Sequence, residues 1–520
     1  MLRNFHALEP TKDELEIKLL HIHRIPLGAH MYQQTDRYRN IYSPILLVNV
    51  IKYFSLIFIS LLLLGCGSSS EDGDKYGYIK IYNASNNAPE IRINMTYDDT
   101  ETYGYLEYGE STSTKSIISN KYTMELAWQE DADDYSLVEE REIKITNDDV
   151  KLVVIAGDFY NSEILTFDFE YEDTTLYDET DEDNFSLRII NTKMESGGID
   201  IYLSKNDETF NESVFVSTVY YGEISENNYY EVDTYKVYFT ETGSSDVIFE
   251  SGDISFVQNE GYIVSARSDS GPSDSPFSID VLGQQSSANI SDVNSGSELR
   301  IYNGIIQHEL LPEFFNEVNI TIDGADDIET IQSLAKGTMS NTLSLPASDY
   351  SLDIKPVESD TLIAENHFIS LNANDDVTTF MYLTEVTQVI DDEPDTTEVY
   401  VNTLPVSNSN RISLYDHQIK VINLVQDDEF NNINIYFVRS NETVSSADYS
   451  LYTTMAVPKS ITLPNNTYDV SLIVTVNEST LLLATVSMTF TSNDGDYFLV
   501  IEKDESTSSG YSAQFIPQSN

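Results

Sequence analysis

Groups that titrate, ligate or attack are scarce in this chain, and the scarcest decide which chemistry is open to it. The 520 residues include seven histidines and one cysteine. His6, His21, His23 and His30 precede the cysteine, and His308, His367 and His417 follow it at non-equivalent places. His308 opens "HELLP", which lacks the second histidine of a zincin helix. A structural or solvent-exposed role is expected there. No Gly-x-Ser-x-Gly elbow, phosphate loop or dinucleotide fingerprint occurs. Asp and Glu number 87 against 28 Lys and Arg, so close carboxylate pairs occur throughout and none marks an acid–base couple. Two acidic clusters, Asp178/Asp181/Asp183 and Asp323/Asp326/Asp327, are candidates for calcium. Neither has EF-hand spacing, and solvated linker and turn charge accounts for both. The expectation is no catalytic residue, no metal site and no cofactor, with Ca²⁺ the one alternative.

The cysteine, Cys66, closes no intrachain disulfide and builds no Cys-based zinc site. A buried bystander, a reactive thiol or a chemical handle remains. What precedes it decides. Lys52 leads into "YFSLIFISLLLLG", thirteen uncharged residues, the length of a secretory h-region and short of the roughly 20 that span a membrane. Leu63-Leu64-Gly65-Cys66 resembles a bacterial lipobox. That resemblance implies a diacylglycerol on the Cys66 sulfur, signal cleavage after Gly65 and an acylated new amino terminus, enough chains to anchor stably. Gly67, rather than Asp, then implies an outer-membrane address in a Gram-negative cell. The alternative is an uncleaved signal anchor. A 65-residue leader is too long, so residues 1–47 read as an extension upstream of a true start near Val48 or Val50, with Met31 a second candidate. Residues 48–65 are then the signal peptide and 66–75 a flexible tether. Residues 1–65 carry seven Lys and Arg against five Asp and Glu, which leaves −61 on the remainder. Nucleic acid and bare anionic lipid repel such a chain.

The elements that position these groups repeat four times. Ile79–Asn83, Leu187–Asn191, Leu299–Asn303 and Ile419–Asn423 open the copies, with the asparagines 108, 112 and 120 residues apart. Second alternating segments begin at Ile91, Ile199, Val318 and Ile433. Period-two alternation predicts strands with one buried face. Third segments begin at Tyr122, Tyr235, Tyr350 and Tyr468, each shortly after a turn residue: Asn120, Asp233, Asp349 and Asn466. These positions suit a tyrosine corner, with plain cross-strand packing as the alternative. Polar turns then lead into "VKLVVIA", "YIVSA", "VTTFMYL" and "YFLVIE", and one more alternating segment closes each copy. About seven strands per copy and hardly any helix predict an all-β chain of four tandem immunoglobulin-like antiparallel β-sandwiches. Their expected spans are 76–172, 184–284, 297–405 and 417–520. The linkers "EDTTLYDETDED", "QQSSANISDVNSGS" and "NSNRISLYDH" read as exposed hinges, and like charge favours an extended string.

"IYNASNNAPEIRI" resembles the opening of the bacterial "domain of unknown function 4397" repeat. Tyr108-Gly109-Glu110, Tyr221-Gly222-Glu223 and Lys336-Gly337-Thr338 stand where that family has an aromatic-Gly step. The resemblance implies an extracytoplasmic, tandem, sandwich-like and often lipid-anchored protein, and supplies no catalytic residues. Lys80, Arg188, Arg300 and Lys420 recur at one site in all four copies, opposite the inward aliphatics. A cross-strand ion pair is the structural explanation, and a shared anion-binding site the functional one. The expectation is a non-enzymatic outer-membrane lipoprotein, periplasmic or surface-exposed, that joins the membrane through Cys66. It would display its sandwiches to an envelope polymer, a glycan or a protein, and not to nucleic acid. A carbohydrate-binding lipoprotein using tyrosine platforms is the first alternative, and an accessory protein to a secreted hydrolase the second.

Overall fold

The computed structural model describes residues 75–519, apart from 131–133, 172–183, 195, 273–274, 325–326, 389–395, 413–414 and 493. The leader, Gly65, Cys66, the linker 172–183 with Asp178, Asp181 and Asp183, and Asp326 lie outside the described residues. The rest is an all-β chain of four tandem β-sandwiches.

The first sandwich has eight strands: β1 (Tyr76–Asn83), β2 (Ile91–Thr96), β3 (Thr100–Leu106), β4 (Lys115–Ile118), β5 (Lys121–Gln129), β6 (Tyr135–Lys144), β7 (Asp149–Ala156) and β8 (Glu163–Glu170). One sheet has the order β4-β1-β7-β8 and the other β3-β2-β5-β6. The third and fourth sandwiches repeat both orders strand for strand, and the second adds short edge strands to them. Ile79, Ile81, Ile91, Ile93, Met124 and Leu126 alternate inward from the two sheets and are buried against each other, as the period-two pattern requires.

Three features depart from the sequence expectation. Each sandwich has a parallel pairing between its opening strand and the strand after the polar turn: Tyr78–Asn83 beside Val150–Ile155, Ser186–Asn191 beside Gly261–Ala266, Glu298–Asn303 beside Asp376–Met381, and Ile419–Asn423 beside Tyr497–Ile501. The other pairings are antiparallel, apart from an isolated bridge between Asn191 and Tyr221. The second sandwich does not end at 284, because Ser287–Ile290, inside the expected linker, pairs with Phe277–Leu282. The third extends past 405, its last strand running to Ser407.

The extended string is also corrected. Outward residues of the first and second sandwiches form one buried cluster: Tyr82, Leu152, Val154, Ile190, Ile263 and Leu282. Tyr302, Phe380, Ile422, Phe498 and Val500 do the same for the third and fourth. Apolar burial at contact outweighs charge repulsion that salt screens beyond about 8 Å. Where it is described, the linker 408–417 is pinned rather than hinge-like. Arg411 bridges Asp416 at 2.7 Å and Asp496 at 3.3 Å, and Ser409 accepts no freedom either, its amide donating to Gln518 at 2.8 Å. The two pairs touch where Asn374 Nδ2 donates to Asp269 at 3.0 Å and the Tyr415 ring lies 4.2 Å from Trp128.

Candidate functional site

The residues that recur in all four copies converge on two places, the end of the opening strand and the face that pairs the sandwiches. At the first, Asn83, Asn191, Asn303 and Asn423 are buried. Each side-chain oxygen accepts the amide two residues on, from Ser85, Lys193, Ile305 and Val425, at 2.9–3.1 Å. Each backbone carbonyl accepts the amide of Gly109, Gly222, Gly337 or Ala456 at 2.7–2.8 Å. The asparagine thus latches the strand end to a loop more than 25 residues away in sequence. The glycines take φ of +84°, +76° and +74°, the left-handed region where a Cβ is costly. In the fourth sandwich Ala456 carries this conformation at +54°. Ala456→Gly is therefore expected to stabilise that sandwich by about 1 kcal/mol, and Gly109→Ala to destabilise the first by at least as much. Urea denaturation of the two variants checks the opposite signs.

The four tyrosines sit at the start of the strands that carry the second sheet. Their hydroxyls donate to the carbonyls four residues upstream: Tyr122 to Ile118, Tyr235 to Glu231, Tyr350 to Pro346 and Tyr468 to Pro464, at 2.7–3.0 Å. Each ring packs into its sandwich core while its hydroxyl closes the corner.

The four bases make no cross-strand ion pair among the described residues, which corrects the structural expectation. Their faces meet another sandwich, with Lys80 and Arg300 buried there and Arg188 and Lys420 half-buried. Lys80 Nζ donates to Thr112 and, across the pair, to the Gly283 carbonyl, both at 2.8 Å. Arg300 donates across the second pair to Pro517 at 3.3 Å. Gly283 and Pro517 stand just beyond or at the end of equivalent closing strands. In the reverse direction Arg188 lies over Phe169, 4.9 Å from its ring centre, and Lys420 donates to Ser407 at 2.5 Å. Each pair is thus joined by a pseudo-twofold contact in which like strands exchange like bases.

The aromatic-Gly steps border this face. Tyr108 donates to Ser268 at 2.7 Å and Tyr221 to Glu163 at 3.0 Å, each reaching the neighbouring sandwich. Sequence reasoning missed the polar centre. Tyr82 donates to Asp280 at 2.6 Å, Asp280 also receives Arg267 Nε at 2.7 Å and Asn289 at 2.9 Å, and the carboxylate is fully buried. In the second pair Tyr302 donates to Glu502 at 3.1 Å and accepts from Gln514 at 2.6 Å. The signal was the residue before each asparagine. It is Tyr82 and Tyr302 in the first and third copies but Ile190 and Ile422 in the second and fourth.

Burial pulls Lys80 down to about 8, against a weaker upward pull from Glu260. The unfolded chain therefore holds this proton more tightly than the folded chain between about pH 8 and 10.5. The penalty is fully present below pH 8 and disappears as pH rises, so it amounts to about 3 kcal/mol that is recovered through this window. Burial and the nearby Asp280 push Tyr82 up, so its contribution is lost above pH 10. Stability of the first pair is expected to rise from pH 7.5 to about 10. Denaturation at several pH values checks this, and the rise should be absent in Lys80→Met.

The three described histidines do not converge. His308 meets Glu385 at 3.1 Å, and His367 meets Thr403 at 3.2 Å with its pKa lowered by burial. His417 is buried between the Gly495 carbonyl and Asn465. No group of three metal-ligating side chains occurs among the described residues.

The fold defines a tandem β-sandwich protein. No family model and no curated protein matches the chain. Among solved structures it is similar to the Bacillus anthracis TIE protein, at 11% identity over 84% of this chain and 72% of that one, with a TM-score of 0.14. The FN1–FN3 domains of chicken CNTN1 match at 10% identity over 58% and 91%, with a TM-score of 0.12. A candidate cell adhesion protein from Bacteroides fragilis matches at 10% over 43% and 97%, with a TM-score of 0.12. At those scores the likenesses carry no functional argument.

Proposed function

We propose that the chain is a non-enzymatic, lipid-tethered envelope protein whose paired sandwiches display binding surface outside the cytoplasm. One observation carries the non-enzymatic part. The polar residues that recur in all four copies are taken up by strand-end latches, tyrosine corners and sandwich pairing, and leave no shared cleft of converging acids, bases or nucleophiles among the described residues. The lipobox-like Leu63–Cys66 and the acidic charge support the tether and the location. Fractionation and protease shaving of intact cells test both, beside a Cys66→Ala variant. Wild type should partition with the outer membrane and release its sandwiches on shaving, and Cys66→Ala should be soluble. A Cys66→Ala protein that stays acylated and membrane-bound would refute the tether. Glycan binding is favoured by Tyr97, Tyr105, Tyr229 and Tyr452, each 47–59% exposed. A glycan array with tyrosine-to-alanine variants separates it from protein or polymer binding.

A further inference from the structure

The pairing face of the first two sandwiches is not closed. A cleft of about 70 Å³ opens between them, lined by Lys80, Val150, Phe169, Tyr171, Arg188 and Tyr262 among others. Its wall is largely apolar, as in sites that take small ligands. Tyr171 is held flat by Tyr78, stacked at 3.6 Å.

The two cations are poorly compensated. Lys80 is 3% exposed and meets two neutral carbonyls. Arg188 makes one long hydrogen bond, to Ser225 at 3.4 Å, and otherwise only lies over the Phe169 ring at 4.9 Å. Neither has a carboxylate within ion-pair distance among the described residues, in a chain with 87 acids. Exposed Glu170 lines the cleft, and Glu260, which acts on Lys80 from further off, already accepts the Gln284 amide and the Tyr262 hydroxyl. Desolvated charge is ordinarily paired.

The second pair shows what is missing. Arg300 and Lys420 are the equivalent bases there, and the buried Asp376 acts electrostatically on both. Asp376 stands two residues before Thr378, the partner of Arg300, and Val150 stands two residues before Leu152, the partner of Lys80. The two positions are equivalent. The second pair carries its own carboxylate where the first has a valine and an open cleft.

We propose that the cleft between the first two sandwiches binds a small amphipathic carboxylate, its anionic head between Lys80 and Arg188 and its apolar body against Phe169, Tyr171 and Tyr262. The site is independent of the anchor at Cys66. Calorimetric titration of the full-length protein with 4-phenylbutyrate, and with 4-phenylbutyramide as the neutral isostere, tests it. The acid should bind with a Kd of about 1 mM or tighter and the amide roughly tenfold more weakly. Val150→Asp, which supplies the carboxylate internally, should weaken the acid at least roughly tenfold and raise the melting temperature. Arg188→Gln, at a half-buried position, should weaken the acid without loss of fold. No binding of the acid, equal binding of acid and amide, or unchanged acid binding in Arg188→Gln would overturn the proposal.

Discussion

Arg267→Met is expected to cost the first pair about 3–5 kcal/mol. Arg267 and Asp280 form an ion pair whose side chains are 5% and 0% exposed. The arginine also donates to Ser268 at 2.9 Å and lies over the Tyr108 ring, 4.4 Å from its centre. Removing one member of a buried pair leaves the other charged, desolvated and short of a partner, which is the costly way to break such a contact. Tyr82 and Asn289 still donate to Asp280 and limit the loss. For a unit of this size the melting temperature should fall by roughly 10 °C. Calorimetry should show that fall in the transition of the first two sandwiches and not in that of the last two. An unchanged scan would mean that the ion pair is open to water.

The second large effect is expected at the strand-end latch. Asn303→Ala removes the acceptor for the Ile305 amide at 3.1 Å and the donor to the Leu334 carbonyl at 2.9 Å. Both partners are buried, as is the asparagine, so water does not replace the lost bonds. Two unsatisfied buried groups and the space left behind should together cost about 2–4 kcal/mol. Asn303→Asp keeps the acceptor but places a charge in the same site, and should be no better. Urea denaturation of the third sandwich's transition checks both. A loss under about 0.5 kcal/mol would show that the latch is redundant with the backbone bonds.

The sandwiches themselves were legible because inward aliphatics alternate with a period of two. Ile79 and Ile81, Leu299 and Ile301, and Ile433 and Ile435 all lie in cores. The pairing of sandwiches was not read, although a signal for it was present. "VKLVVIA" does not alternate, and a continuous apolar run marks a strand covered on both faces. Leu152 and Val154 indeed face the neighbouring sandwich while Val153 and Ile155 face the core. Lys80 misled in the other direction. A base opposite an aliphatic face reads as the exposed half of an ion pair, yet Lys80 is buried because its tip finds a carbonyl on the partner, and Tyr82 on the same face is buried with its hydroxyl on the partner's carboxylate. Parallel pairing of the opening strand was invisible for another reason. Periodicity tells which face a residue takes, but not which strand lies beside it.

The pairing of sandwiches is the claim on which the site and the cleft both stand, and a double-mutant cycle between Tyr82→Phe and Asp280→Asn tests it most directly. These residues are 198 apart in sequence and belong to different sandwiches. If the faces meet, the two changes should be non-additive in unfolding free energy, by about 1 kcal/mol or more. Additivity within about 0.5 kcal/mol would contradict the pairing and restore a string of separate sandwiches.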